Sequence, residues 1–284
     1  MREAGSLPGF VVIGAQRGGT TTLFHALLRH PTIRGPARKE VHYFDSAYAR
    51  GELWYRSFFP SGRRMERNGQ HLTGEATPSY LFHPLAAERA ADTLPQARFV
   101  ALLRDPVARA WSHHAHQVAL GYESRPFEAA IDAEAERLAG EEDRIRSDPA
   151  FQATRFRRVS YLARGDYAPQ LERWFSAVRR DRVLVLISEE FFDDPLGGFR
   201  QVEEFLGLPR WAEITPLEAR FAKGRSGLGM SSETRDRLQE HFAPGSRRLE
   251  VLLGRTLPWG RGEVRLSEEG RPSFPAGRRG DTDS

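Results

Sequence analysis

Phe10-Val-Val-Ile-Gly-Ala-Gln-Arg-Gly-Gly-Thr-Thr-Thr-Leu-Phe-His-Ala-Leu27 is the stretch on which the fold turns. Phe10 to Ile13 is a short apolar, β-branched run of the kind that forms a buried strand. It breaks at Gly14. Thr20, Thr21 and Thr22 then open an amphipathic segment, with Leu23, Ala26, Leu27 and His30 at helical spacing. Strand, glycine-rich turn and helix N-terminus together make a phosphate-binding arrangement. Free backbone N–H groups and the positive end of the helix dipole converge there, and glycine lets an anion approach. The spacing Gly14-x-x-x-x-Gly19 matches a nucleotide P-loop, but Thr20 stands where such a loop carries its lysine. That lysine neutralises the β- and γ-phosphates of a nucleoside triphosphate, so its absence points to an anion of lower charge. A bare strand-to-helix connection is the plainer alternative; the strand before and the hydroxyls after favour the anion site.

At 284 residues and 39% apolar, the chain can bury one large core. The expectation is one α/β domain over residues 8–262, a central mostly parallel sheet flanked by helices, followed by a disordered tail over residues 268–284. There is no cysteine, which excludes disulfides and thiolate metal sites. No run has the length of a signal-peptide core or a membrane span, so a cytoplasmic protein is expected. The net charge is +4 and lysine occurs only at Lys39 and Lys223, every other basic residue being arginine. The pI near 9.7 partly reflects that preference. No dense basic run alternates with aromatics, so nucleic acid is not the expected partner; an anionic small ligand is. Oligomeric state is not legible.

Along the chain, Lys39, Glu40 and His42 interrupt an aromatic stretch that includes Tyr43 and Phe44. Alone, Lys39 and Glu40 read as a surface ion pair of little worth. Beside a phosphate loop, Glu40 becomes a candidate general base, its pKa expected to rise toward neutrality on partial desolvation. His71 to Tyr80 reads as a strand ending in a turn, with Glu75, Thr77 and Ser79 at its rim, where ligands of parallel sheets gather. Pro84 to Leu94 reads as a helix with proline in its first turn. Phe99 to Leu103 is a further buried strand. Arg104 stands at its tip and Ser112 about two turns into the next helix, both able to face one phosphate, with an Arg104–Asp105 ion pair as the alternative. His113, His114 and His116 look like a metal cluster, but their helical spacing does not converge, and no metal is expected. Phe127 to Arg158 is charged and helix-like, Arg182 to Ser188 is the clearest buried strand, and Ser232 to Leu253 reads as a final pair of helices. Ala222 to Gly229 is a basic glycine-rich loop able to fold over a phosphate.

These segments, in order, resemble the motifs of the sulfotransferases that use 3'-phosphoadenosine 5'-phosphosulfate (PAPS). The motifs are Ile13-Gly-Ala-Gln-Arg-Gly-Gly-Thr-Thr-Thr-Leu23, Lys39-Glu-Val-His-Tyr-Phe-Asp45, Glu75-Ala-Thr-Pro-Ser-Tyr80, Leu103-Arg-Asp-Pro-Val-Ala-Arg-Ala-Trp-Ser112 and Lys223-Gly-Arg225. The branch resembled is that of the heparan sulfate N- and 3-O-sulfotransferases and their bacterial relatives, over about Gly9 to Trp259. The resemblance implies that Arg17, Gly18, Gly19, Thr20 and Thr21 hold the 5'-phosphosulfate. Arg104 and Ser112 would hold the 3'-phosphate, and Lys223, Gly224, Arg225, Ser226 and Gly227 would close over the nucleotide. It implies Glu40 as base, with Lys39, Arg17 and His116 as further catalytic residues, and Lys39, Glu40, His42, Glu75, Thr77 and Pro78 at the acceptor. Two family lysines are replaced, by Arg17 and Ala76. Arginine keeps the charge but is a planar donor, not a point charge; Ala76 suggests a different acceptor.

The implied reaction moves a sulfuryl group to a hydroxyl, ahead of an amine, of a saccharide, glycolipid or secondary metabolite, leaving adenosine 3',5'-bisphosphate (PAP). Charge on the leaving phosphate oxygen would be met by Arg17, Thr20 and the loop amides, without metal. The alternatives are a P-loop-type nucleoside or small-molecule kinase, disfavoured by Thr20, and a non-catalytic binder of anionic polymers.

Overall fold

The computed structural model describes residues 4–148, 151–211 and 229–259. Five strands form one sheet in the order β2-β3-β1-β4-β5. They are β1 (Phe10–Gly14), β2 (Ile33–Arg34), β3 (Leu72–Ala76), β4 (Arg98–Leu103) and β5 (Val183–Ile187). Every pairing is parallel. Parallel neighbours need crossovers, and helices supply them. Among the described residues the helices of eight or more residues are α1 (Thr20–Leu27), α2 (Ala86–Thr93), α3 (Pro106–Ala119), α4 (Tyr167–Ala177), α5 (Pro195–Leu206) and α6 (Ser232–Leu253).

Helices cover both faces of the sheet, so its central strands read as unbroken apolar runs. Phe10, Val11, Val12 and Ile13 are all fully buried. Successive side chains enter opposite layers, as the strand period requires. Val11 and Ile13 pack in the layer of Phe99, Leu171 and Trp174, whereas Phe10 and Val12 pack with Leu23, Leu27, Phe199 and Val202. β1 lies between β3 and β4. The chain thus leaves β1 first to one side and then to the other, opening a crevice at the carboxyl ends of these strands.

Three expected elements differ. Pro84 precedes α2, whose cap is Leu85. β5 is an edge strand with Leu184 and Val185 only half-buried, because strand order, not apolarity, decides who is central. Ser232 to Leu253 is one 22-residue helix with Pro244 inside it. Proline costs such a helix a hydrogen bond. Here Leu238, Phe242, Ser246 and Leu249 form one buried stripe on both sides of Pro244, and that burial prevails. The charged stretch from Phe127 resolves into short helices, among them Phe127–Asp132 and Thr154–Val159.

Candidate active site

The turn between β1 and α1 is pinned from below. Ala15 N–H donates to the Leu102 carbonyl at 2.9 Å, and Ser188 Oγ, just past β5, donates to the Gly18 carbonyl at 2.9 Å. A Cβ on Gly18 would lie 2.3 Å from the Leu102 oxygen, so only glycine lets the turn sit this close to β4. Gly19, at φ 101°, then starts α1 in a conformation natural to glycine. No side chain caps α1 and its first turn holds no acidic residue. Among the described residues, no acceptor meets the N–H groups of Gly19, Thr20 or Thr21. Gln16 Oε1 in the same turn is buried without a partner. The helix dipole and these open donors make the spot attractive to an anion.

Two guanidiniums flank it. Arg17 Nε donates to Ser112 Oγ at 3.0 Å, and Arg104 Nη1 donates to the Arg17 carbonyl at 3.2 Å. Desolvation and the neighbouring charge of Arg104 lower the Arg17 pKa. Asp105, whose carboxyl feels the charge of Arg104, also has a backbone role. Its Oδ1 accepts the Val107 N–H at 2.9 Å and caps α3, with Pro106 at the first position. Arg104 at the strand tip and Ser112 two turns into the helix thus both reach Arg17, which the sequence assigned to the turn alone.

Across the crevice runs a chain of charges. Lys39 Nζ donates to Thr21 Oγ1 and to Glu40 Oε1, each at 2.8 Å. His42 Nε2 lies 3.6 Å from Glu40 Oε2, and Nδ1 is 2.8 Å from Asp45 Oδ2. Asp45 also accepts from Ser79 Oγ, and from Ser46 Oγ at 3.0 Å. Arg17, Glu40 and His42 are the non-glycine residues with positive φ among the described residues, at 68°, 58° and 59°. Such strain collects where function over-determines the backbone.

The expected rise of the Glu40 pKa is reversed. Burial does push it up, but the hydrogen bonds and charges of His42 and Lys39 outweigh burial and hold it at about 2. For His42, burial favours the neutral ring, yet Asp45 and Glu40 together carry its pKa up to about 9. At neutral pH His42 is an imidazolium between the carboxylates of Glu40 and Asp45.

Glu75, Thr77 and Ser79 lie inside, not at the rim where they were expected. Glu75 and Thr77 are fully buried and Pro78 is buried. Glu75 Oε1 accepts from Tyr55 OH at 2.6 Å and Tyr80 OH at 3.1 Å, and Oε2 accepts from Thr77 Oγ1 at 2.7 Å. Burial raises its pKa against these bonds. This cluster supports the strained segment above it: His42 N–H reaches Thr77 Oγ1 at 3.5 Å, and Tyr43 N–H reaches Tyr80 OH at 2.8 Å. These buried residues shape the site from beneath. Sequence reasoning gave no role to Asp45, Tyr55 or Tyr80. The spacing of His42 and Asp45 was their one visible signal.

The histidines of α3 diverge. His113 is fully buried, His114 Nε2 pairs with the Arg125 carbonyl at 2.9 Å, and His116 is half-buried. Desolvation and the charge of Arg17 lower the His116 pKa, while Glu40 opposes them. Among the described residues, no group of three or more His, Cys, Asp or Glu is placed to hold a metal ion, and no helix is long and apolar enough to cross a membrane. Lys223, Gly224, Arg225, Ser226 and Gly227, and the tail from residue 268, lie outside the described residues.

Residues 7–224 match the sulfotransferase domain family. Human heparan sulfate glucosamine 3-O-sulfotransferase 3B1 is 31% identical over 276 residues, covering 89% of this chain and 65% of that protein. The membrane-associated sulfotransferase kil1 of Dictyostelium discoideum is 28% identical over 321 residues, covering 89% of this chain and 66% of that protein. The chain thus spans about two thirds of the length of these relatives. The crystal structure of a sulfotransferase from Alicyclobacillus acidocaldarius superposes with a TM-score of 0.65 at 31% identity, covering 90% of this chain and 100% of that one. Mouse sulfotransferase SULT7A1 complexed with PAP shares the fold, with a TM-score of 0.53 at 11% identity over 88% of each chain.

Proposed function

The chain belongs to the sulfotransferase family, and from that premise we propose that it transfers a sulfuryl group from PAPS to an acceptor hydroxyl, with Glu40 as general base. The observation that carries this reading is Lys39, which bonds at once to Thr21 at the open end of α1 and to Glu40. It ties an anion site to a proton acceptor. The residues suit an anionic nucleotide: open amides at Gly19 to Thr21, the guanidiniums of Arg17 and Arg104, and the unpartnered Gln16 oxygen. In this reading Arg17, Gly18, Gly19, Thr20 and Thr21 hold the 5'-phosphosulfate, and Arg104 and Ser112 hold the 3'-phosphate. Lys223 to Gly227 are assigned to the nucleotide on resemblance alone.

When bound, the donor supplies an electrophilic sulfuryl group and a phosphate leaving group. The acceptor oxygen bonds to sulfur as the sulfur–phosphate oxygen bond breaks, and the acceptor proton passes to Glu40. A carboxylate near pKa 2 is a weak base at rest. An anion at the α1 N-terminus draws Lys39 away from Glu40, and losing that cation raises the carboxylate's basicity where it is needed. His42, held by Asp45, keeps Glu40 oriented. Arg17 and the loop amides stabilise the developing charge on the leaving oxygen. His116 is a second proton acceptor close to Arg17 and Glu40. A cysteine-free chain fits the cytoplasm, our assigned compartment, which cell fractionation tests.

Calorimetry with PAP, with ATP and magnesium as control, tests the donor; transfer from labelled PAPS across an acceptor panel tests the reaction. Tight PAP binding with ATP ignored is expected. Preference for ATP, or no binding of PAP, refutes the proposal.

A further inference from the structure

The pair of residues that follows β5 reaches both walls of the anion crevice at once. Ser188, 4% exposed, donates from Oγ to the Gly18 carbonyl at 2.9 Å, on the turn between β1 and α1. Its neighbour Glu189 accepts the Asp105 N–H on Oε1 at 3.0 Å, at the tip of β4. Both open the short helix Ser188–Asp193, so neither shifts without the other.

A third bond closes a ring. Arg104 Nη1 donates to the Arg17 carbonyl at 3.2 Å. From Gly18 the path crosses to Ser188, steps along the chain to Glu189 and crosses to Asp105. It then steps back to Arg104 and crosses to Arg17, the chain neighbour of Gly18. Three hydrogen bonds thus alternate with three peptide links. Two more bonds anchor the ring to its surroundings. Ala15 N–H donates to the Leu102 carbonyl at 2.9 Å, and Tyr167 OH donates to the Arg104 carbonyl at 2.8 Å.

Arg17 and Gly18 belong to the subsite assigned above to the 5'-phosphosulfate, and Arg104 to that of the 3'-phosphate. Ser188 and Glu189 spend these side-chain bonds on backbone groups of the protein itself, so their part is to fix one subsite against the other. The turn is demanding to hold, with Arg17 at φ 68° and Gly19 at φ 101°, and ordering it costs conformational entropy. A phosphate seated in either subsite stills the whole ring, and the second phosphate then meets partners already in place.

We propose that Ser188 and Glu189 are positioning residues that couple the two phosphate subsites, so that a nucleotide phosphorylated at both ends binds more tightly than its two halves predict. The inference rests on the donor reading of the site. It makes a 3'-phosphate a condition of firm grip at the turn, which disfavours nucleotides phosphorylated at the 5' end alone.

The test is competition calorimetry of the full chain with adenosine, adenosine 5'-phosphate, adenosine 3'-phosphate and PAP. The product of the two monophosphate dissociation constants, divided by the product of those for PAP and adenosine, is the coupling factor. Ser188→Ala and Glu189→Ala should each lower that factor at least about fivefold below the parent's. Glu189→Gln keeps the oxygen that accepts the Asp105 N–H and should keep the parent's factor. Glu189 is exposed, so its replacement spares the core. A merely structural loss would weaken all four ligands alike and leave the factor where it was. An unchanged factor in both alanine variants overturns the coupling, as does Glu189→Gln behaving like Glu189→Ala. Failure of the parent chain to bind PAP overturns the donor reading instead.

Discussion

His42→Gln isolates the charge chain. The folded protein raises the His42 pKa from 6.5 to about 9, and at 1.36 kcal/mol per pH unit this is worth about 3 kcal/mol. The sign follows from the direction. The folded state holds the proton more tightly than the unfolded state, so the contribution is complete below pH 6.5 and is lost as pH rises through 9. At pH 7.5 about 2 kcal/mol should remain. The assay is urea unfolding of the parent chain and the variant at pH 6, 7.5, 9 and 10. The gap between the two should be largest at pH 6 and shrink by about 3 kcal/mol toward pH 10. Comparing the curves cancels tyrosines and lysines that titrate in both. A gap that stays constant from pH 6 to pH 10 refutes the imidazolium between Glu40 and Asp45.

Glu40→Gln keeps the shape of the side chain and removes its basicity, so turnover should fall by about 10²–10⁴-fold with the PAP dissociation constant unchanged; wild-type turnover would remove Glu40 from the mechanism. Ser112→Ala leaves Arg17 without its 3.0 Å partner and should weaken PAP about tenfold in calorimetry without lowering stability. Gly18→Ala forces a Cβ against the Leu102 carbonyl, and the shift should cost about 1–3 kcal/mol in denaturant unfolding and abolish PAP binding. Tyr55→Phe removes the 2.6 Å donor from buried Glu75 and should cost about 1–3 kcal/mol in the same unfolding assay.

The first βα unit was legible because its signals are local: a β-branched run, glycines where the backbone turns, hydroxyls where a helix begins. Arg104 and Ser112 were legible for the same reason, the strand tip and the proline fixing where the helix starts. Glu75 was misplaced because a strand buried on both faces carries no alternation to tell inside from rim. The pairing of Asp45 with Ser79 spans 34 residues and arises only when the turn after β3 is set beside Tyr43. The Glu40 pKa could not be read from the carboxylate alone, since burial and its two cationic neighbours act in opposite directions. In α6, a tertiary stripe of buried residues overrode the local meaning of Pro244.

The bond from Ser188 to the Gly18 carbonyl joins positions 170 residues apart. During synthesis the turn between β1 and α1 leaves the ribosome long before its clasp from beyond β5 does. A nascent fragment ending before β5 therefore carries the glycine motif in full and still lacks the bond that pins it.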